Sequence, residues 1–127
     1  MQGTITSTCR VLLVDDDPLV CDSIRRMLEF DRHKVHIAPG AAEALAICEK
    51  HSFDVIILDY IMPVMKGDQL AVRLKERIPD RPIIMITADA EKVDSPEKKP
   101  PGVDLIVCKP FQLEDLREAL SNVLLKT

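Results

Sequence analysis

Asp54-Val55-Ile56-Ile57-Leu58-Asp59-Tyr60-Ile61-Met62-Pro63 is an apolar run that stops at a carboxylate and is closed by a proline. A run of aliphatic residues without polar alternation is what a parallel strand buried on both faces requires, because neither face meets water. An acid at its end therefore belongs at the rim of the sheet. In an open α/β sheet, the rim on the carboxyl side of the strands is where ligands bind. Asp59 is thus the residue around which chemistry is to be sought.

Outward from this strand the chain alternates between two periods. Arg10 to Val14 reads as an apolar strand ending in Asp15-Asp16-Asp17, and Pro18 then opens a helix, with Asp17 as its N-cap. Val20, Ile24, Met27 and Leu28 follow helical spacing, with Arg25, Arg26 and Glu29 on the wet side. Lys34 to Ala38 alternates as a half-covered edge strand does. Pro39-Gly40 turns the chain into a helix from Ala41 to about Lys50, with Ala41, Leu45 and Cys48 inward. Beyond Asp59, a helix begins near Gly67 with Leu70, Ala71, Leu74 and Ile78 on one face. Ile83 to Ile86 and Val103 to Cys108 read as two more buried strands, ending in Thr87-Ala88-Asp89 and Lys109-Pro110-Phe111. A last helix runs from about Leu113 to Leu125, with Leu113, Leu116, Leu120 and Val123 as its stripe and Glu114, Arg117 and Glu118 opposite.

Strands alternating with helices call for a parallel sheet with right-handed crossovers and helices on both faces. One crossover resists a regular helix: Ala90 to Gly102 contains Pro96, Pro100 and Pro101. Each interior proline costs a helix about 3 kcal/mol, so at most a short helical turn near Asp89 to Asp94 is expected there.

The composition excludes several classes. The 127 residues suit one domain, read as a tail over 1–9 and a folded unit over 10–126, burying roughly two thirds of the unfolded surface. The chain is 46% apolar and 30% charged, and no apolar run approaches the roughly 20 residues that span a bilayer. Met1-Gln2-Gly3-Thr4 has no signal-peptide character, which makes a cytoplasmic location the expectation. A net charge of −4 with mixed signs leaves no basic footprint for nucleic acid or membrane. Cys9, Cys21, Cys48 and Cys108 lack zinc or redox-pair spacing and read as buried free thiols, with Cys108 set apart by its neighbour Lys109. His33, His36 and His51 fall in turns or on an edge and read as surface residues.

The buried strands deliver Asp15 and Asp16, Asp59, Thr87 and Lys109 to their carboxyl ends, whereas the edge strand delivers nothing polar. Any one of these could be a turn or cap residue, as Asp17 is. Together they are not explained that way. Two carboxylates about 4 Å apart repel by roughly 4 kcal/mol at an effective dielectric near 20, so three of them at one site need a cation. The donors are hard oxygens, which points to Mg²⁺ or a similar ion. A hydroxyl and a lysine beside a metal-binding carboxylate then suit a phosphoryl group, with a carboxylate available as nucleophile.

VLLVDDDP, LDYIMPVMKG, ITA and CKPF, in that order and spacing, resemble a response-regulator receiver domain of two-component signalling, CheY-like, over roughly Arg10 to Leu125. The resemblance implies a flavodoxin-like doubly wound sheet of five parallel strands in the order 2-1-3-4-5, here with an irregular or shortened fourth helix. It implies that Asp59 accepts a phosphoryl group from a sensor histidine kinase, a phosphotransfer protein or a small phosphodonor. Asp16 would bind Mg²⁺ directly, Asp15 partly through water, and Asp59 and the backbone carbonyl of Ile61 would complete the protein ligands. Thr87 and Lys109 would hold the phosphoryl oxygens, and Pro110 matches a cis-peptide position. Such a domain catalyses only its own phosphorylation and dephosphorylation, and it signals to an output domain or partner by changing conformation.

The sequence departs from the family pattern at Ile106, where many members carry Tyr or Phe, at Lys66, where an acid is common, and in the proline-rich Ser95 to Pro101. Ile61 and Asp89 stand where such domains admit water to the aspartyl phosphate. Two other readings use the same residues. A degenerate receiver would bind partners without phosphorylation. A haloacid-dehalogenase-type phosphatase would use Asp15 as nucleophile in Asp15-x-Asp17, but it leaves Asp59 without a role.

Overall fold

Five short apolar segments joined by amphipathic ones build the sheet expected of them. The computed structural model describes residues 8–62, 65–88 and 99–124. Its strands are β1 (Arg10–Val14), β2 (Lys34–Ala38), β3 (Val55–Asp59), β4 (Ile83–Thr87) and β5 (Leu105–Cys108). Its helices are α1 (Pro18–Phe30), α2 (Ala41–Lys50), α3 (Gly67–Arg77) and α4 (Leu113–Leu124). Every ladder is parallel, in the order β2-β1-β3-β4-β5. This is the flavodoxin-like order, in which the direction of strand addition reverses between β1 and β3.

The period-2 alternation of each strand divides the core into two layers. Val11, Leu13, Val55, Ile57, Ile84 and Ile86 face one way and pack with Ile24 and Leu28 of α1 and Leu116 and Leu120 of α4. Leu12, Val14, Ile56, Leu58, Ile83 and Met85 face the other way and pack with Ala44 of α2 and Leu70, Ala71 and Leu74 of α3. β1, β3 and β4 are sealed on both faces, so their uninterrupted apolar sequences follow from position.

The caps explain where the elements stop. Asp17 accepts the Leu19 N–H at 3.0 Å and Pro18 fills the first helical position, as read from sequence. At the other end of α1, the Asp31 carboxylate accepts two bonds from Arg117 of α4, at 2.8 and 2.9 Å. Arg32 turns the chain with a φ of 69°. At Gly102, φ is 85° and a Cβ would lie 3.0 Å from the Ala71 backbone, so glycine lets this connection touch α3.

Several details differ from the sequence reading. β5 starts at Leu105, not Val103, because the Asp104 carboxylate takes the Ile83 N–H at 2.8 Å where a ladder would need a backbone carbonyl. It is also the second edge strand, so Leu105 and Ile106 are only half-buried. Ala44, absent from the predicted stripe, is the fully buried residue of α2, and the predicted Ala41, Leu45 and Cys48 are partly buried around it. Cys9 and Cys21 are buried, but Cys48 and Cys108 are half-exposed. The expected helical turn near Asp89 to Asp94 and Pro96 lie outside the described residues.

His33 is the clearest departure, being 6% exposed where a surface residue was expected. The tight turn after α1 tucks it under β1, where its Nδ1 accepts the Cys9 N–H at 3.2 Å and meets the Cys9 Sγ at 3.3 Å. Burial lowers the His33 pKa from its ordinary value, the nearby Asp31 opposing this, and burial raises the Cys9 thiol to about 11, so both stay neutral at pH 7. A histidine held neutral binds fewer protons folded than unfolded, so its stabilisation is complete above the unfolded pKa of about 6.5 and is lost as pH falls below it. We expect wild type to lose more stability between pH 7 and pH 5 than His33→Gln does, read as the change in urea midpoint. Parallel pH profiles for the two proteins would contradict this assignment.

Candidate functional site

The carboxyl ends of the central strands bring three acids together. The ladder pairs Val14 with Leu58, so the residues after them, Asp15 and Asp59, leave neighbouring strands side by side. One carboxylate oxygen from each of Asp15, Asp16 and Asp59 lies within 4.8 Å of the others. Asp15 is 3% exposed and still in the sheet, its N–H donating to Ala38 at 3.1 Å. Its Oδ1 accepts the Asp17 N–H at 3.0 Å, and its backbone carbonyl accepts the Cys21 thiol at 3.3 Å. Asp16 faces solvent. Asp17 turns away to cap α1, as expected of it.

The cation arrives from the opposite side. Asp59 pairs with Ile86 in the β3–β4 ladder, which places Thr87 one residue further along the same rim. Thr87 is 1% exposed, and its carbonyl accepts the Lys109 N–H at 2.8 Å. Lys109 extends from the end of β5 so that its Nζ stands 3.5 Å from Asp59 Oδ1. The Lys109–Pro110 peptide is cis, as the family resemblance implied. Asp59, Asp15, Asp16, Thr87 and Lys109 therefore converge on one rim. Ile61, two residues past Asp59, is 64% exposed, and its apolar side chain leaves only its backbone to serve as a ligand. Asp89 lies outside the described residues.

Electrostatics mark the site as short of positive charge. The Asp15 pKa is raised to about 6, first by burial and then by the charges of Asp59 and Asp16, with the Asp17 hydrogen bond and Lys109 opposing. Burial also raises Asp59, although Lys109 acts against it. One lysine thus does not balance three carboxylates. The donor set suits a hard divalent cation, since three carboxylate oxygens lie within 4.8 Å of one another and Mg²⁺ prefers oxygen ligands.

Two supporting residues were not singled out from the sequence. A Cβ on Gly67 would lie 2.4 Å from the Asp59 carbonyl oxygen, so α3 can begin against the acceptor loop only with glycine there. The Gly67 N–H also donates to Tyr60 at 2.8 Å. A glycine opening a helix just after LDYIMP was the available signal. Cys21, one turn into α1, gave none, because its thiol bond to Asp15 depends on how α1 docks. Lys66 lies with its Nζ 5.8 Å from the centre of the Tyr60 ring, and its N–H donates to Gln69 at 3.1 Å.

Comparison with known proteins agrees with this geometry. The chain matches the response regulator receiver domain over residues 11–121. It is 33% identical over 118 residues to the response regulator MprA of Mycobacterium sp. (strain KMS), covering 93% of this chain and 51% of MprA. It is 34% identical to the heme response regulator HssR of Staphylococcus saprophyticus over the same share of this chain and 51% of HssR. The chain thus spans about half the length of these curated relatives. Among solved structures, chemotaxis protein CheY4 of Vibrio cholerae superposes with a TM-score of 0.80 at 35% identity, covering 93% of this chain and 100% of CheY4. The response regulator TrrA of Thermotoga maritima, solved with Mg²⁺ and BeF, superposes at 0.81 with 27% identity, covering 91% of this chain and 98% of TrrA. Fold, rim constellation and matched sequence agree, and the chain belongs to the response regulator receiver domain family.

Proposed function

We propose that Asp59 is the phosphoacceptor of this receiver domain, and that the unit over residues 10–126 works as a phosphorylation-driven switch in the cytoplasm. The observation that carries the reading is the position of Asp59, held 3.5 Å from Lys109 Nζ and within 4.8 Å of two further carboxylates. An Asp59 oxygen attacks phosphorus, and the bond from phosphorus to the donor's nitrogen or oxygen breaks, leaving an acyl phosphate on Asp59. Lys109 pairs with the phosphoryl oxygens and Thr87 supplies a hydroxyl to them, both fixed beforehand by the β4 and β5 ends. Asp15, Asp16, Asp59 and the Ile61 carbonyl would hold Mg²⁺, which when bound neutralises the charge gathering on the transferring group. The donor is a sensor histidine kinase, a phosphotransfer protein or a small acyl phosphate. The domain turns over no separate substrate, and the output it governs is a further domain or partner protein.

Incubation with acetyl phosphate and Mg²⁺ should add one phosphoryl group to the intact mass, and Asp59→Asn should abolish the addition. Equal addition on Asp59→Asn would place the acceptor elsewhere. Addition on Asp59→Asn but not on Asp15→Asn would favour the phosphatase-like reading.

The raised Asp15 carboxyl predicts a stability effect of defined sign. Its folded pKa of about 6 exceeds the unfolded value, so the charged site destabilises the metal-free domain above pH 6 and does so less as pH falls through that value. In metal-free buffer at pH 7.5, Asp15→Asn should gain on the order of 1–2 kcal/mol. Added Mg²⁺ should stabilise wild type and leave Asp15→Asn nearly unchanged, as read from thermal midpoints.

Ile61 is apolar and exposed beside the acceptor, so it cannot orient an attacking water. Replacing it with a hydrogen-bonding side chain, Ile61→Asn, should speed loss of the phosphoryl group several-fold, followed by intact mass after donor removal. An unchanged half-life would show that residue 61 does not control water.

A further inference from the structure

Away from the acidic rim, a second pair of metal-ligating side chains meets at the edge of the sheet. His36 lies in the edge strand β2 and His51 caps α2, and both are exposed. Their ring centres are 5.8 Å apart, with planes inclined by 40°. The buried Phe53 stands edge-on to His36 at 5.9 Å and backs that ring with an apolar wall. Among the described residues, no hydrogen bond or ion pair occupies an imidazole nitrogen of either histidine.

Both rings hang from ordered backbone. His36 is held in register with Leu12 of β1, and the His51 N–H donates to Ile47 at 2.9 Å. Two imidazoles that bind one ion at about 2.0–2.1 Å, at a tetrahedral angle, have ring centres roughly 5.2 Å apart. The observed spacing closes to that by less than one ångström, within reach of side-chain rotation at an exposed position. The pair is therefore largely assembled before any ion arrives, which lowers the cost of binding.

The chemistry of the donors selects the ion. Lys34 and Lys50 stand two residues from His36 and one from His51 along the chain, and Arg10 lies over the Phe53 ring at 5.7 Å, so the basic side chains here do not themselves attract a dication. Affinity must come from nitrogen lone pairs, which favours copper, nickel and zinc over magnesium and manganese. The acidic rim, with hard oxygen donors, has the opposite preference. We propose that His36 and His51 form a bidentate site for a divalent transition cation of the nickel, copper and zinc type, separate from the phosphoacceptor site. An ion held there would tie the β2 edge to the connection entering β3, and it would bind only the folded chain.

The chain has three histidines and His33 is buried, so the test is well defined. Nickel chloride is titrated calorimetrically into wild type, His36→Gln, His51→Gln and the double variant, with excess Mg²⁺ present to fill the acidic rim. We expect one ion per wild-type chain. Each single variant should weaken binding about tenfold or more, because the second ligand acts at a high effective concentration. The double variant should lose little beyond either single one. Far-UV spectra and phosphorylation by acetyl phosphate should match wild type throughout, which excludes misfolding as the cause. Unchanged affinity in either single variant would overturn the proposal. So would nickel binding that survives in the double variant and vanishes in Asp16→Asn, since the ion would then sit at the acidic rim.

Discussion

The constraint on which this protein depends is the parallel ladder that holds two carboxylates side by side against their own repulsion. Val14 pairs with Leu58, and the chain has no choice but to present Asp15 and Asp59 together just beyond them. Isolated acids at such a spacing would separate, since their repulsion is of order 4 kcal/mol at a partly screened site. They stay because the strands beneath them are sealed. Leu12, Val14, Ile57 and Leu58 are each at most 1% exposed, and burial of each such side chain contributes about 1.5–3 kcal/mol. The apolar core thus holds a charged rim that the rim's own residues would not stabilise.

This arrangement leaves the rim with an excess of negative charge. A cluster with raised carboxyl pKa values and a single lysine is a high-energy arrangement whose repulsion added positive charge would relieve. Lys109 pairs with Asp59 and is joined to Thr87 through the backbone at the ends of β4 and β5. There the family's aromatic position is filled by Ile106, half-buried and paired with Met85. A branched aliphatic side chain has no ring to swing between an inner and an outer position. The edge beside it is a groove lined by Ile106, Cys108, Pro110, Asp115, Glu118 and Asn122, in which the half-exposed Cys108 thiol donates to the Lys109 carbonyl.

The two ends of the sheet are built differently. At the carboxyl ends three carboxylates gather around one lysine. At the amino ends they are paired within the protein: Asp54 accepts the Arg10 N–H at 2.8 Å, Asp104 accepts the Ile83 N–H and pairs with Lys75, and His33 takes the Cys9 N–H. The amino-end acids each have their own partners, whereas the carboxyl-end acids outnumber the lysine beside them, and such an imbalance is what marks a candidate site.

Much of this was legible in the chain. Uninterrupted apolar runs identified β1, β3 and β4, because a strand covered on both faces admits nothing else. The acids, hydroxyl and lysine after those runs identified the rim, because strand ends in a parallel sheet share one edge. The sequence by itself therefore determined the layering, the strand order through its family motifs, and which side chains meet Asp59. What it did not reveal are contacts between elements distant in the chain. The burial of His33 depends on β1 lying over the turn after α1, and β5 is an edge because, among the described residues, nothing pairs beyond it. The approach of His36 to His51 is of the same kind. Periodicity reports the side of an element that faces inward, whereas the partner waiting there is decided when the layers close.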